Sequence, residues 1–216
     1  SSGRAAVEEF VTTAVVPPLG QLRLARREVL APQIDLKGWE PLPTLTPYEN
    51  GADLVLLAAR GSACKGGSMA CAIVAPSGEL LALQTNGPLW EPIARRPPQS
   101  DVHAEMNALG YCARRGIALE GATVFITMPP CRKCFSVLAG TGINRIVARK
   151  MMVKEDALEC FPVANRIGIE MMTVWDEEVR RARVERLWAG KRALEGGDQP
   201  GDADESHERA EQAAKQ

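Results

Sequence analysis

The sequence lacks a long apolar run, and it lacks a strong net charge of either sign. No stretch of about eighteen apolar residues occurs, so we expect no membrane span and no membrane partner. The net charge of −1 gives no overall basic field that would concentrate nucleic acid non-specifically. With 216 residues, 45% of them hydrophobic, the composition predicts one globular domain with a well-buried core.

Histidine is also scarce, because the chain has only 2, His103 and His207. His207 lies in a polar stretch near the end, so His103 is the one plausible imidazole ligand for a metal. Cysteine occurs 6 times. Two cysteines stand at a metal-ligand spacing and the others are scattered among apolar residues. This pattern favours reduced thiols in an intracellular compartment, the cytoplasm or an organelle, over a disulfide set.

Composition divides the chain into three parts. Residues 1–45 are rich in proline and have no sustained hydrophobic period, so we expect an N-terminal extension draped on the domain. Residues 46–192 form the predicted domain. Residues 193–216 are acidic with few apolar side chains, which predicts a disordered tail.

Hydrophobic periods and turn residues predict elements in the order α-β-β-α-β-α-β-α-β-α. Thr46 and Glu49 have the spacing of a capping box, with Pro47 in the first turn. A turn at 76–79 between two apolar runs predicts a hairpin. The alternation favours an α/β fold with a mostly parallel sheet between helices. The predicted helices are 47–60, 101–115, 130–141, 155–166 and 176–192, and the predicted strands are 69–75, 80–84, 121–127, 143–148 and 168–174.

The motif Pro130-Cys131-Arg132-Lys133-Cys134 offers two thiols at a spacing typical of metal ligands. Proline suits the first turn of a helix, and the two cysteines would then project from one side of that turn. The free amides and the dipole of a helix N-terminus lower the pKa of a thiol. The motif is therefore predicted to supply two thiolates for zinc.

The triplet His103-Ala104-Glu105 lies near the start of the preceding predicted helix. His103 would add a third ligand to the two cysteines and leave one tetrahedral position for water, which is typical of catalytic zinc. Zinc lowers the pKa of such a water towards about 7, and Glu105 is placed to take its proton and pass it on.

Other uses of these residues stay open. A closed structural zinc site with Cys112 or Cys160 as the fourth ligand would leave Glu105 without a role. A thioredoxin-like redox pair of the two motif cysteines would explain neither the histidine nor the glutamate. Together, the two motifs favour a zinc hydrolase over both alternatives.

At these motifs the sequence resembles the zinc-dependent cytidine and deoxycytidylate deaminase superfamily, and above all its deoxycytidylate deaminases. The likeness spans about residues 47–150 and includes the stretches 60–64, 69–74 and 85–88. Thr85 departs from it, since those enzymes usually carry tyrosine at this position. The resemblance implies a three-layer α/β/α cytidine-deaminase-like fold with a mixed five-stranded sheet.

The resemblance also implies a reaction, the zinc-dependent hydrolytic deamination of a cytosine nucleotide, dCMP to dUMP first, with release of ammonia. Zn²⁺ is the implied cofactor and Glu105 the implied catalytic acid and base. The residues that the resemblance assigns to zinc are His103, Cys131 and Cys134.

Three residues are predicted to contact the substrate. In the superfamily an asparagine at the Asn86 position contacts the sugar, and the main-chain amide of Ala104 would help to hold the base. Arg60 is a candidate for the 5′-phosphate because a guanidinium binds phosphate through a bidentate fork. The competing interpretations are a turn residue for Asn86 and a solvated surface residue for Arg60.

The implied partners are a free pyrimidine nucleotide and further copies of this chain, since active sites in this superfamily are commonly completed near subunit contacts. One alternative is a polynucleotide deaminase acting on unpaired cytosine or adenine in tRNA or another single strand, although the near-neutral charge argues against its acting alone. A non-catalytic deaminase-fold partner subunit is another, and the presence of Glu105 argues against it. The basic residues that would serve a nucleic-acid surface are Arg114, Arg115, Arg132, Lys133, Arg145, Arg149 and Lys150.

Overall fold

The computed structural model describes residues 20, 36, 38–64, 67–88 and 101–194, of which 190–194 are described by backbone alone. Most of the predicted extension and the predicted tail beyond residue 194 lie outside the described residues. The predicted domain is described apart from two internal gaps.

Helices and strands follow one another in the predicted order through the described residues. The helices are α1 Pro47–Ala59, α2 Ala104–Arg114, α3 Arg132–Ala139, α4 Lys154–Ile167 and α5 Glu178–Leu194. The strands are β1 Ala70–Val74, β2 Leu80–Thr85, β3 Thr123–Ile126, β4 Arg145–Ala148 and β5 Glu170–Thr173. Every element predicted for residues 46–192 is present, with its ends shifted by at most a few residues.

The strands form one sheet in the order β2-β1-β3-β4-β5. The predicted hairpin is confirmed, since β1 pairs antiparallel with β2. β1 also pairs antiparallel with β3, whereas β3, β4 and β5 run parallel to one another. The sheet is therefore mixed. The expectation of a mostly parallel sheet with one hairpin holds for strand direction, because β1 alone runs opposite to the other four strands.

Alternate side chains of the strands face two separate cores, as the pleat of a sheet requires. On one face, Ile73 and Ile146 pack with buried residues of α2, α3 and α4. On the other face, Phe125 and Val147 pack with α1 and with Val184 of α5. This arrangement confirms the three-layer α/β/α fold.

Helix α1 begins with the predicted capping box. The Glu49 amide donates to Thr46 Oγ1 at 3.2 Å, and the Thr46 amide donates to the Glu49 carboxylate at 2.8 Å. One turn later Gly51 lies against the ring of Phe125, where an added Cβ would be 2.3 Å from a ring carbon. The absence of a side chain at this position lets α1 approach the sheet closely.

Two residues of the predicted extension belong to the core beneath α1 and α5. Leu36 and Trp39 are 7% and 1% exposed. Arg183 of α5 lies over the Trp39 ring, 6.0 Å from its centroid, and donates to the Glu40 carbonyl at 2.7 Å. The segment before residue 46 thus contributes apolar side chains to the domain.

Among the described helices, none combines the length and the apolar character that crossing a membrane requires.

Candidate active site

The two predicted ligand motifs meet at the N-termini of α2 and α3. His103 is the N-cap of α2 and Cys131 is the N-cap of α3, and both have extended backbone conformations. Neither side chain makes a capping hydrogen bond. The placement of Pro130 in the first turn is wrong. It precedes the N-cap, because the Cys131 carbonyl accepts the first helical hydrogen bond, from Phe135 at 2.8 Å.

One imidazole and two thiols lie close enough to share a metal ion. His103 Nδ1 is 3.3 Å from Cys134 Sγ and 3.8 Å from Cys131 Sγ. All three ligand atoms lie within 4.8 Å of one another. Ordinary zinc bond lengths give a tetrahedral N···S edge of about 3.6 Å. The donor set and its spacing therefore fit zinc.

No fourth protein ligand joins this group within the described part of the chain. The group contains neither Cys112 nor Cys160, so the structure does not support the closed structural site. Both of these thiols are buried, and all six cysteines are free, in agreement with the prediction of reduced thiols. His103 is exposed, so the site is open to solvent on the imidazole side.

Glu105 lies in the first turn of α2 with its carboxylate turned inward, since the residue is only 7% exposed. Burial raises the pKa of Glu105 above its usual value. Three interactions lower this pKa in part: a hydrogen bond from the amide of Glu105 itself, the charge of His103, and a hydrogen bond from Cys134. The carboxylate is thus within hydrogen-bond reach of one predicted zinc ligand.

The pKa of the Cys134 thiol departs from the sequence-based expectation. Burial and the Glu105 carboxylate raise it well above the usual value, with a further contribution from the neighbouring Cys131. The expected lowering by the helix N-terminus is outweighed at this position. Because zinc binds the thiolate, loading of this site must release a proton from Cys134.

The predicted base contact, the Ala104 amide, lies at the first position of α2. The first amides of an α-helix have no intrahelical acceptor, so this position suits a donor to a ligand. Ala104 is 1% exposed. The predicted role stays a prediction, and the geometry of the helix end is compatible with it.

Asn86 follows β2 and is buried, with its side chain hydrogen-bonded inside the protein. Its Oδ1 accepts from Ser62 Oγ and from the Met69 amide, each at 2.8 Å. Its Nδ2 donates to the Gly67 carbonyl at 2.8 Å. Asn86 is therefore more than a turn residue, because it joins the end of β2 to the segment before β1.

Arg60 lies at the C-cap of α1, and its guanidinium pairs with the carboxylate of Glu185 on α5. Both side chains are partly exposed, at 41% and 43%. A phosphate at Arg60 would have to compete with this carboxylate, and the phosphate contact stays a prediction.

Two of the basic residues considered for a nucleic-acid surface are buried. Arg145 donates to the Glu170 carboxylate at 2.7 Å, and its side chain is 4% exposed. Arg149 is also buried and pairs with Asp176. Their charges are neutralised inside the domain and are not displayed on its surface.

Arg132, between the two ligand cysteines, is exposed but paired. It donates to both carboxylate oxygens of Glu159, at 2.7 and 2.8 Å, and lies 3.2 Å from Asp156. These contacts tie the N-terminus of α3 to α4. Arg132 is therefore engaged in ion pairs, and its charge is partly neutralised at the predicted basic surface.

Two polar residues to which the sequence motifs assign no role form hydrogen bonds next to predicted site residues. Ser62 holds the Asn86 carboxamide, and Asn107 of α2 donates from Nδ2 to the Thr85 carbonyl at 2.8 Å. Their partners lie 24 and 22 residues away along the chain, so no local spacing rule would have found them.

Comparison with known proteins identifies a protein family to which part of this chain is similar. Residues 48–150 match the family model described as the cytidine and deoxycytidylate deaminase zinc-binding region. The deoxycytidylate deaminase of Enterobacteria phage T4 is 32% identical over 96 residues, which are 44% of this chain and 42% of that protein. That of Mycobacterium phage D29 is 49% identical over 49 residues, 23% of this chain and 37% of that protein.

The chain thus spans about two fifths of the length of the curated relatives it matches. Among solved structures, the apo dCMP deaminase of cyanophage S-TIM5 is similar with a TM-score of 0.48 and 24% identity, over 59% of this chain and 96% of that chain. The family match covers α1 to β4 and includes His103, Glu105 and both motif cysteines. Residues 48–150, slightly less than half of the chain, thus carry a similarity to the cytidine and deoxycytidylate deaminase zinc-binding region.

Proposed function

We propose that the chain is a zinc-dependent hydrolytic deaminase that converts a cytosine nucleotide, with dCMP as the first candidate, to its uracil form and releases ammonia. The observation that carries the proposal is the buried Glu105 carboxylate, which is hydrogen-bonded to Cys134, one of three residues whose ligand atoms lie close enough to share a metal ion. The names of the T4 and D29 relatives support deoxycytidylate as the substrate.

His103, Cys131 and Cys134 would hold the zinc ion. Zinc bound by three protein ligands lowers the pKa of a water in the remaining position to about 7 and so supplies a nucleophile at neutral pH. His103 is exposed, so solvent reaches this group from the imidazole side.

Glu105 would move the protons of the reaction. Its carboxylate would accept one proton from the attacking water and pass it to the ring nitrogen beside the reacting carbon. It would then carry the remaining proton of the added hydroxyl to the amine, so that the carbon–nitrogen bond breaks and ammonia leaves. Burial suits this role because it raises the pKa of the carboxyl towards neutral pH. The amide of Ala104 would hold the base, and Asn86 would meet the sugar.

Incubation of the zinc-loaded protein with separate substrates tests the proposal through ammonia release. The substrates are dCMP, CMP, deoxycytidine, cytidine, a tRNA and a single-stranded oligonucleotide. We expect turnover of dCMP above all others. Turnover of the polynucleotides alone would overturn the proposal in favour of a polynucleotide deaminase. No turnover of any substrate, by protein with full zinc, would favour a non-catalytic subunit.

The ion pairs of three arginines count against a polynucleotide substrate, whereas Arg114, Arg115, Lys133 and Lys150 are exposed. A strand of nucleic acid binds through several unpaired cations, and Arg132, Arg145 and Arg149 are engaged by carboxylates. A homo-oligomer stays a prediction, which light scattering of the purified protein can check.

A further inference from the structure

The hydrogen bonds of the Asn86 carboxamide limit what it can offer a ligand. A carboxamide has two acceptor lone pairs on oxygen and two N–H donors on nitrogen. Both lone pairs are engaged, one by Ser62 Oγ and one by the Met69 amide. One N–H donates to Gly67. Among the contacts of the described residues, only one N–H remains for a ligand.

The contacts also fix which end of the carboxamide is which. Rotation by a half-turn would place Nδ2 against the Met69 amide and Oδ1 against the Gly67 carbonyl. Donor would then face donor, and acceptor would face acceptor. The available group is therefore a donor, and the ligand group that meets it has to be an acceptor.

Asn86 is joined to the candidate active site through the backbone on both sides. Gly87 and Val102 exchange two backbone hydrogen bonds, at 3.2 and 2.8 Å, and Val102 directly precedes the histidine of the site. On the other side, the Thr85 carbonyl accepts from Asn107 of α2. The end of β2 is thus held against the helix that carries the histidine and the glutamate.

Ser62 is the side chain that completes this arrangement. Its hydroxyl donates towards Asn86 Oδ1 at 2.8 Å and also lies 3.1 Å from the Asn86 carbonyl oxygen. It accepts from the Cys64 amide at 3.2 Å. The hydroxyl is therefore held from both sides and occupies the lone pair of Asn86 that the Met69 amide leaves free.

We propose that Ser62 is a positioning residue that keeps Asn86 in a donor-only state, so that Asn86 recognises an acceptor oxygen on the sugar or the phosphate of the substrate. The inference rests on the proposed function. Without the hydroxyl, the carboxamide loses one of its anchors and regains a free lone pair, so its remaining N–H is held less firmly towards the ligand.

Steady-state kinetics on dCMP with Ser62→Ala, Ser62→Thr and Ser68→Ala test this role. Ser68 is an exposed serine of the same connection and serves as the matched control. We expect Ser62→Ala to raise KM roughly fivefold with little change in kcat, because a binding contact remote from the reacting atoms is weakened. Ser62→Thr keeps the hydroxyl and should restore KM. An unchanged KM in Ser62→Ala, or an equal defect in Ser62→Thr and Ser68→Ala, would overturn the role.

Substrates that lack one oxygen group identify the acceptor. The KM ratio of Ser62→Ala to wild type is compared for dCMP, for deoxycytidine, and for the 2′,3′-dideoxy analogue of dCMP. If the KM ratio falls to one for deoxycytidine, the acceptor lies on the phosphate. If it falls to one for the dideoxy analogue, the acceptor is the sugar hydroxyl. A ratio that persists for both substrates would contradict recognition of either oxygen.

Crystal structures of the zinc-loaded wild type and of Ser62→Ala separate this inference from the proposed function. A displaced or rotated Asn86 carboxamide in the variant supports the positioning role even if no substrate is turned over. An Asn86 side chain that stays in place overturns it, even if the wild type proves to be an active deaminase.

Discussion

At the scale of single residues, the candidate site divides between ligands that lie at helix ends and one carboxylate that is buried behind them. His103, Cys131 and Cys134 present one nitrogen and two sulfur atoms to a common point, and Glu105 lies beside Cys134. The ligands would hold the metal, whereas the carboxylate has the position of a proton carrier. Substitutions should therefore separate zinc binding from turnover.

Glu105→Gln should keep the zinc and lose at least about 100-fold in ammonia release, because a neutral amide cannot carry the proton. Metal analysis and an ammonia assay on the same sample measure the two effects. Glu155→Gln, at an exposed position of α4, is the control and should match the wild type. Turnover close to that of the wild type in Glu105→Gln would reject the proton-carrier role.

Cys131→Ser should lose most of its bound zinc, because a serine hydroxyl is a far weaker zinc ligand than a thiolate. Cys112→Ser and Cys160→Ser change thiols outside the ligand group and should keep about one zinc per chain. Metal content of the purified variants decides the question. Loss of zinc in the Cys112 or Cys160 variant would restore the closed structural site as a hypothesis.

At the scale of elements, the close approach of α1 to the sheet depends on Gly51. Gly51→Ala should destabilise the protein by about 1–3 kcal/mol, because the new Cβ would overlap the Phe125 ring. Gly110→Ala in α2 is the matched control, since its Cβ would meet nothing within 4 Å. That change should stabilise by about 0.5–1 kcal/mol through helix propensity.

Urea unfolding of both variants measures the free energies of unfolding. The two glycine substitutions should act in opposite directions. A stabilising Gly51→Ala would mean that α1 lies further from the sheet than the structure shows.

Element types and their order could be predicted from the sequence, because each depends on a local period or a cap. The Thr46 capping box and the hairpin around the turn at 76–79 are examples, and both are confirmed. Element ends and strand directions depend on distant partners. Helix α2 begins at Ala104 and not at residue 101, because Val102 pairs with Gly87 before the helix starts.

In the candidate site, too, the residues of local motifs could be predicted, whereas the contacts between distant residues could not. The zinc ligands and Glu105 belong to short motifs with known spacing, and the structure brings them together. The pairing of Arg149 with Asp176 and the hydrogen bond between Ser62 and Asn86 join residues far apart in sequence. No local pattern contains these partners, so the exposure of the basic residues could not be predicted.

At the scale of the whole molecule, the metal group joins the N-termini of α2 and α3, which pack on the same face of the sheet. Zinc that binds the folded state alone should stabilise it by mass action. Zinc at about 1,000 times its Kd contributes about 4 kcal/mol, or roughly 10 °C in Tm for a chain of this size.

Thermal unfolding with excess zinc and with a chelator measures this difference. His103→Ala should unfold at the same temperature in both conditions. Equal Tm values for the wild type with and without zinc would show that the metal does not bind the folded group.

The positions of His103 and Cys131 have a consequence for stability. Each is a helix N-cap, where serine, threonine, aspartate or asparagine would satisfy a free amide, and neither makes that hydrogen bond. In the presence of a chelator, Cys131→Ser should therefore be more stable than Cys131→Ala, by about 1 kcal/mol in the free energy of unfolding. Equal stability of the two would contradict this expectation. Both helix ends thus carry a predicted metal ligand in place of a capping residue, so a substitution that restores the cap should add stability only in the absence of zinc.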